Sequence, residues 1–375
     1  MFRPQPNRRL VHPFSGWFLY VLITAAAPIS PAAAAGTEHG SLVNPHAVPA
    51  DWRLPDNVID TRQLPEFALA ANAGDAATPL PVYRIAPDTY FLFGNIDTLD
   101  EGNRGWNGNA GFVVTDDGVV VIDALGTPDL GRRLLATIRS VTGKPVRYLI
   151  VTHNHPDHAY GAAAFQALDD VMVIGHPGTD DYNRSETLER SVAYRRELLG
   201  MDMRGFEPPQ PDRHVEPVPF ARLDIELGSQ HFEIYNTGRH HSYGDLVVYQ
   251  PRQQILWISD LAFNQRTTFM GDGDSLQIIE AQDWLLREFP DVRLMVPGHG
   301  APQTAPFPMI EKTREYVLRL RRDMKQAVES GVPLYDAVQG SEFEEWKHTR
   351  LYEENHRANA NFVYREMEQA FFENF

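Results

Sequence analysis

Within six consecutive positions this chain places three histidines and an aspartate: His153, His155, Asp157 and His158, in the run Thr152-His153-Asn154-His155-Pro156-Asp157-His158. Such a run makes little sense as core, where imidazoles and carboxylates need partners, and it is unusual as surface. Imidazole nitrogen and carboxylate oxygen are the ligands that a borderline divalent cation such as zinc takes. A polar turn is the plainer account of the run taken alone. That account weakens when His241, Asp260 and His299 are added, because each of them also follows a segment that reads as a strand.

Residues 83–85 and 89–93 read as strands around Pro87-Asp88, and residues 109–114 and 119–123 as a hairpin across an Asp-Gly turn. Residues 130–141 carry apolar side chains at helical spacing. Residues 146–151 read as a buried strand, and the histidine run begins where it stops, with a helix expected over 160–168. Strands at 223–227 and 231–235 lead to His240-His241, a hairpin at 246–249 and 254–258 leads to Asp260, and a strand at 293–296 leads to Pro297-Gly298-His299. The carboxyl ends of strands are where open α/β sheets put their active sites. Beyond Phe307 the chain reads as helical. Ile310, Val317, Leu320, Met324 and Val328 form one stripe, and a last helix spans about 355–372 with Phe362, Met367 and Phe371 available for packing.

The chain has no cysteine, which removes disulfides, thiolate metal sites and cysteine nucleophiles. Its formal charge is −16, so the expected partner is a small-molecule substrate and not nucleic acid, whose binding needs a basic face. Arg3, Arg8 and Arg9 are the only charged side chains before Glu38. Residues 17–27 are apolar, and Pro31-Ala32-Ala33-Ala34-Ala35-Gly36 follows. A basic start, a short apolar stretch and small residues describe a secretory leader, residues 1–35, cleaved near Ala35. Its apolar part is shorter than the roughly 20 residues that span a bilayer. The expected location is the periplasm or the cell exterior, with no membrane insertion after cleavage. Residues 36–80, rich in Pro, Ala and Asn without a period, read as an extended arm, residues 81–303 as the main domain and 304–375 as a helical extension. The pattern leaves oligomeric state open.

With its ligand candidates in this order the chain resembles the metallo-β-lactamase superfamily. The H-x-H-x-D-H run at 153–158, the Gly238-Arg239-His240-His241-Ser242 segment, Asp260 and Gly298-His299 follow the family's order over about residues 83–300. The resemblance implies an α/β fold, a four-layer αβ/βα sandwich with the metals at the sheets' edges. It implies that His153, His155 and His241 hold one metal, Asp157, His158 and His299 the other, and Asp260 bridges them. The implied cofactor is two zinc ions, with manganese or iron as substitutes set by supply. The implied activity is hydrolysis of an ester, lactone, thioester or amide by a hydroxide between the metals, oriented by Asp157. Tyr160-Gly161-Ala162-Ala163-Ala164-Phe165, Ile174-Gly175-His176 and Trp346 with His356-Arg357-Ala358-Asn359 resemble exported zinc hydrolases linked to quinoprotein and sulfur-oxidation systems. Two alternatives stay beside this one. An all-histidine β-lactamase shares the six ligands but typically lacks an Asp260. A sulfur dioxygenase-like oxidoreductase uses a single iron, against the complete set of Asp157, His158 and His299.

Other residues have two accounts each. Asp123, at a strand end, is read as fixing the tautomer of a ligand histidine, or else as capping the next loop. His176, Tyr160, Arg239 and His240 are candidates for substrate contact. Their plainer accounts are a hydrogen-bonded loop histidine, a buried aromatic at a helix start, and two solvated side chains. His214, His231, His348 and His356 carry no ligand pattern. A helix at 182–199 is expected to flank the cleft, with Arg184, Arg190, Arg195 and Arg196 as surface charge.

Overall fold

The structure is a computed structural model and describes residues 74–373; the leader and most of the arm lie outside the described residues. Seven strands form the first sheet, in chain order: β1 (Tyr83–Ala86), β2 (Thr89–Leu92), β3 (Ala110–Val114), β4 (Val119–Ile122), β5 (Val146–Ile150), β6 (Met172–Gly175) and β7 (Arg213–His214). The first four are antiparallel neighbours, and β4 to β7 run parallel. The second sheet holds β8 (Arg222–Leu227), β9 (Gln230–Gly238), β10 (Asp245–Gln250), β11 (Ile255–Ser259) and β12 (Leu294–Pro297). It is antiparallel except for the β11–β12 pair.

The helices are α1 (Pro128–Val141), α2 (Pro156–Ala159), α3 (Ala162–Gln166), α4 (Gly178–Asn183), α5 (Glu186–Leu199), α6 (Ser275–Glu288), α7 (Pro308–Glu329), α8 (Leu334–Gly340) and α9 (Tyr352–Glu373). A parallel strand pair needs a crossover, and α1 supplies the one between β4 and β5. Strand β4, Val119-Val120-Val121-Ile122, is buried throughout. Val119 and Val121 join Leu130, Leu134 and Ile138 of α1, while Val120 and Ile122 join Phe232, Ile234, Leu246 and Trp257 of the second sheet. The period of two thus sends alternate residues to different cores. The far face of the second sheet, through Val247, Leu256 and Ile258, packs on Ile278 of α6 and Ile310, Val317 and Leu320 of α7. Three cores therefore separate four layers, the αβ/βα order expected. Each fully buried aliphatic in them contributes about 1.5–3 kcal/mol.

The end of the expected arm lies against α1: Leu80 N donates to Thr137 Oγ1 (2.7 Å) and Arg133 Nε to Thr78 O (3.0 Å). Two expected helices differ in extent. The one at 160–168 is shortened to α3 and begins only after Gly161, where the chain touches Ala124: a Cβ on Gly161 would lie 1.8 Å from the Ala124 carbonyl oxygen. The one at 182–199 restarts at Ser185, whose hydroxyl accepts from Leu188 N (3.3 Å) and caps α5. Arg195, expected on the surface, is 6% exposed. Its Nη1 donates to Gly126 O and its guanidinium lies over the Tyr160 ring. Among the described residues no helix is long and apolar enough to cross a membrane.

Candidate metal centre

Every ligand candidate follows the carboxyl end of a strand, because the strands are rigid and the turns after them are short. After β5 the chain turns once, and Pro156 starts α2. A proline at the first helical position needs no donor and presets φ. Four helical residues suffice to set Asp157 and His158, both buried, in consecutive positions just past β5. His241 follows β9, Asp260 follows β11, and His299 follows β12. Gly298 must be glycine, since a Cβ there would lie 1.9 Å from Asp260 Oδ1.

The seven side chains form two clusters, His153 with His155, His241 and Asp260, and Asp157 with His158 and His299. In the first, His241 Nε2 lies 2.9 Å from His155 Nδ1 and 3.0 Å from Asp260 Oδ2, with His153 Nε2 3.9 Å from the same oxygen. In the second, His299 Nε2 lies 3.3 Å from Asp157 Oδ2 and 3.4 Å from His158 Nε2. Asp260 reaches across to it, 3.3 Å from His299 Nε2 and 3.5 Å from His158 Nε2. A tetrahedral zinc with bonds of about 2.0–2.1 Å spaces its ligands roughly 3.3 Å apart, so these separations suit one ion per cluster. His153 Nε2 and Asp260 Oδ1 are also buried without a hydrogen-bond partner. Buried polar atoms rarely go unpaired, and these two are aimed where a cation would use them. The donor set fits divalent metal.

Charge in the site points the same way. Burial alone would lower the His158 imidazole, yet Asp260, Asp157 and Asp123 raise it to about 10. Burial would raise Asp157 and Asp260, but the neighbouring imidazoles hold both carboxylates below their ordinary range. The cluster attracts positive charge, for which proton and metal compete.

Four of the five ligand histidines are held by the second nitrogen, while Nδ1 of His241 is buried without a partner. His158 Nδ1 pairs with Asp123 Oδ2 (2.9 Å), and Asp123 also accepts from Thr152 N and Oγ1 (2.8 and 2.9 Å). Asp123 therefore faces a ligand candidate from a left-handed backbone, φ +60°, that non-glycine residues seldom adopt. His153 Nδ1 meets the hydroxyls of Thr152 and Ser259 (3.1 and 3.2 Å), and His155 Nε2 meets Asp272 Oδ2 (3.2 Å). His299 Nδ1 lies 2.7 Å from the Asn107 carbonyl oxygen. Asp245 Oδ2 accepts from the backbone of His241 and Ser242 (2.9 and 3.1 Å), fixing that turn. These contacts leave Nε2 of His153, His158 and His299, and Nδ1 of His155, directed into the clusters.

The four candidates for substrate contact each have partners of their own. Tyr160 is fully buried with its hydroxyl on Tyr182 (2.9 Å), so it is a packing aromatic and not a donor into the centre. His176 accepts from Gly178 N (2.9 Å) and pairs with Asn236 Oδ1 (3.1 Å), which makes it a loop histidine. His240, buried and not solvated, pairs with Thr237 Oγ1 (3.1 Å). Arg239 is exposed and lies 5.5 Å over the Tyr243 ring. Conversely, Asp272, Asn107, Ser259, Asp245 and Arg266 touch the ligand set and were not anticipated. Met270-Gly271-Asp272-Gly273-Asp274 reads only as a polar turn before a helix, and no local signal separates Asp272 from Asp274, which caps α6.

Comparison with known proteins gives consistent matches. The family model for the metallo-β-lactamase superfamily matches residues 103–299. The α subunit of 2,4-dinitroanisole O-demethylase from Nocardioides sp. (strain JS1661) is 24% identical over 52% of this chain and 52% of its own length. The linear primary-alkylsulfatase of Pseudomonas sp. (strain ATCC 19151) is 31% identical over 22% of this chain and 15% of its own length. A type 2 metallo-β-lactamase from Elizabethkingia meningoseptica is 24% identical over 65% of this chain and 90% of its own. Among solved structures, the stereoselective inverting sec-alkylsulfatase from Pseudomonas sp. superposes with a TM-score of 0.61 at 19% identity, over 82% of this chain and 55% of that one. The chain thus spans about half, or less, of the demethylase subunit and the two alkylsulfatases.

Proposed function

Because this chain belongs to the metallo-β-lactamase superfamily, we propose that it is an exported dinuclear zinc hydrolase of a small-molecule ester, lactone, thioester or amide. The observation that carries this reading is Asp260, whose carboxylate lies within 3.5 Å of ligand nitrogens from both clusters. A carboxylate so placed would join two ions into one centre. His153, His155 and His241 would hold one ion and Asp157, His158 and His299 the other. When bound, two such ions supply a Lewis acid and bring the pKa of water down to about 7. Asp157 accepts from Asn107 Nδ2 (3.2 Å) on the oxygen nearest His299, and in this reading its carboxylate orients the attacking water. Asp123 and Asp272 hold His158 and His155 so that the lone pairs stay aimed.

The relatives widen the choice of bond. An alkylsulfatase and a β-lactamase are among them, so sulfate esters and β-lactams join the acyl compounds as candidates. The test is hydrolysis by leaderless protein, with zinc counted per chain, across aryl ester, lactone, thioester, β-lactam, alkyl sulfate and aryl methyl ether substrates. The expected result is two zinc ions per chain and turnover of one class, lost with chelator and restored by zinc. One iron per chain with oxygen consumption would replace this reading by the oxidoreductase. Export is tested separately, by whether the periplasmic protein begins near Gly36.

A further inference from the structure

Arg266 stands beside the second cluster without a counter-ion. It lies in the segment between β11 and α6, and its Nη1 is 2.7 Å from His299 Nδ1. Asp157, Asp260 and Asp97 act on its guanidinium only through space, and no described carboxylate pairs with it. Its Nε is buried with no hydrogen-bond partner. Arginine stays charged at any pH a protein meets, and a buried donor left without an acceptor is costly.

The His299 contact does not fill the vacancy. His299 Nδ1 is also 2.7 Å from Asn107 O, an acceptor only. A ring that donates there offers Arg266 an N–H and no lone pair. Nε2 of the same ring faces Asp157 and Asp260, so it is not available to Arg266 either. The guanidinium therefore has at least two donors to spare beside the cluster of Asp157, His158 and His299, the residues that would hold the second ion.

Arg195 is the control within the same molecule. It is buried more deeply than the half-buried Arg266 and is also without a carboxylate, yet a carbonyl oxygen and the Tyr160 face satisfy it. Among the described residues Arg266 has nothing comparable. The cluster itself is flanked by aromatic rings: Phe263 stacks on His299 at 5.6 Å, and half-buried Phe269 stands 6.1 Å from His155. Aromatic rings cannot accept a guanidinium's in-plane donors, but they can line the path of an apolar substrate body.

We infer that Arg266 recognises an oxyanion carried by the substrate at or next to the bond that is cut, so that the substrate class is an anionic ester with an apolar body. This rests on the hydrolase reading for the bond, but not for the anion. A planar fork of donors matches sulfate, phosphonate or carboxylate oxygens two at a time, and it selects against an uncharged ester, which leaves those donors unpaired.

The test uses zinc-loaded protein in three forms: wild type, Arg266→Met and Arg266→Lys. Calorimetric titration with inorganic sulfate, methylphosphonate and acetate reads the anion directly, and the tightest of the three names the oxyanion. Arg266→Met should weaken that anion at least tenfold and Arg266→Lys by a smaller factor, with zinc content unchanged. In parallel, kcat/KM is measured for two 4-nitrophenyl esters, the hydrogen succinate and the butanoate. The succinate-to-butanoate ratio should fall at least tenfold in Arg266→Met. Equal anion affinity in wild type and Arg266→Met overturns the proposal, as does an equal loss on both esters, which would make Arg266 a support for His299. If the methionine variant does not fold, the lysine variant decides, and undiminished anion affinity in it sinks the idea. If wild type cleaves neither ester while sulfate still distinguishes the variants, the acyl-bond reading fails and the anion site stands.

Discussion

Two groups of buried histidines sit in this protein, and they differ in what their nitrogens touch. At the C-terminal helices His356 is 2% exposed, with Tyr316 Oη 2.9 Å from Nδ1 and Ser341 contributing its hydroxyl and carbonyl oxygen at 3.2 and 3.1 Å from Nε2. Asn359 donates to Tyr316 in turn (3.1 Å). Both ring nitrogens are used, and the protein alone closes the network. At the strand ends the protein satisfies one nitrogen of His153, His155, His158 and His299 and leaves the other facing its neighbours. Burial is common to both groups. Only the second has nitrogen lone pairs converging on carboxylate oxygens, which is the arrangement an ion completes.

The sharpest way to break this comparison is to remove a histidine from each group. His158→Ala should empty the second half of the centre, lowering zinc to one or fewer per chain and kcat/KM by about a thousandfold or more, since water activation is lost with the ion. His356→Ala should leave zinc at its wild-type content. Metal analysis and kinetics on the two variants check this, and retained zinc in His158→Ala would remove that histidine from the centre.

A smaller effect is expected one contact further out. Asp123→Asn and Asp272→Asn keep the shape but weaken the hold on His158 and His155. Loss of such partners typically costs 10–100-fold in metal affinity. Competition with a coloured chelator measures it. Because Asp123 supports the cluster containing His299 and Asp272 the cluster containing His241, each variant should weaken a different one of two binding steps. If both weaken the same step, the centre does not divide as described.

How much of this could be seen in the sequence depends on distance along the chain. The run from His153 to His158 is local, so spacing alone displays it, and His241, Asp260 and His299 become visible through the strands before them. The layering was expected from the resemblance these residues carry, and Val119 to Ile122, apolar throughout, agrees with a strand covered on both faces. The supporting residues were not. Asp272 meets His155, and Asn107 meets His299, across 117 and 192 positions, which no periodicity reports. The late helix start after Gly161 goes with a contact to Ala124 that only folding makes. Arg195 looked like surface charge because an arginine in an amphipathic helix usually is.

The mildest perturbation tests the satisfied group by pH. Burial pushes the His356 imidazole down to about 4, against about 6.5 in an unfolded chain. Above pH 6.5 both states are neutral, and the residue adds no pH dependence. As pH falls from 6.5 towards 4, the unfolded chain takes up a proton that the folded protein excludes, so stability falls over that window and levels off below it. The full difference is up to about 3 kcal/mol. His356→Gln cannot titrate, and loss of part of the network should cost it about 1–2 kcal/mol at pH 7. Chemical denaturation of zinc-loaded wild type and His356→Gln from pH 7 to pH 4 measures both quantities. The stability gap between the two proteins should narrow and then reverse as the pH drops, because the wild type alone pays the proton-exclusion penalty. Parallel curves for the two proteins would mean that His356 titrates normally, and that its nitrogens are not closed off as the hydrogen bonds to Tyr316 and Ser341 require.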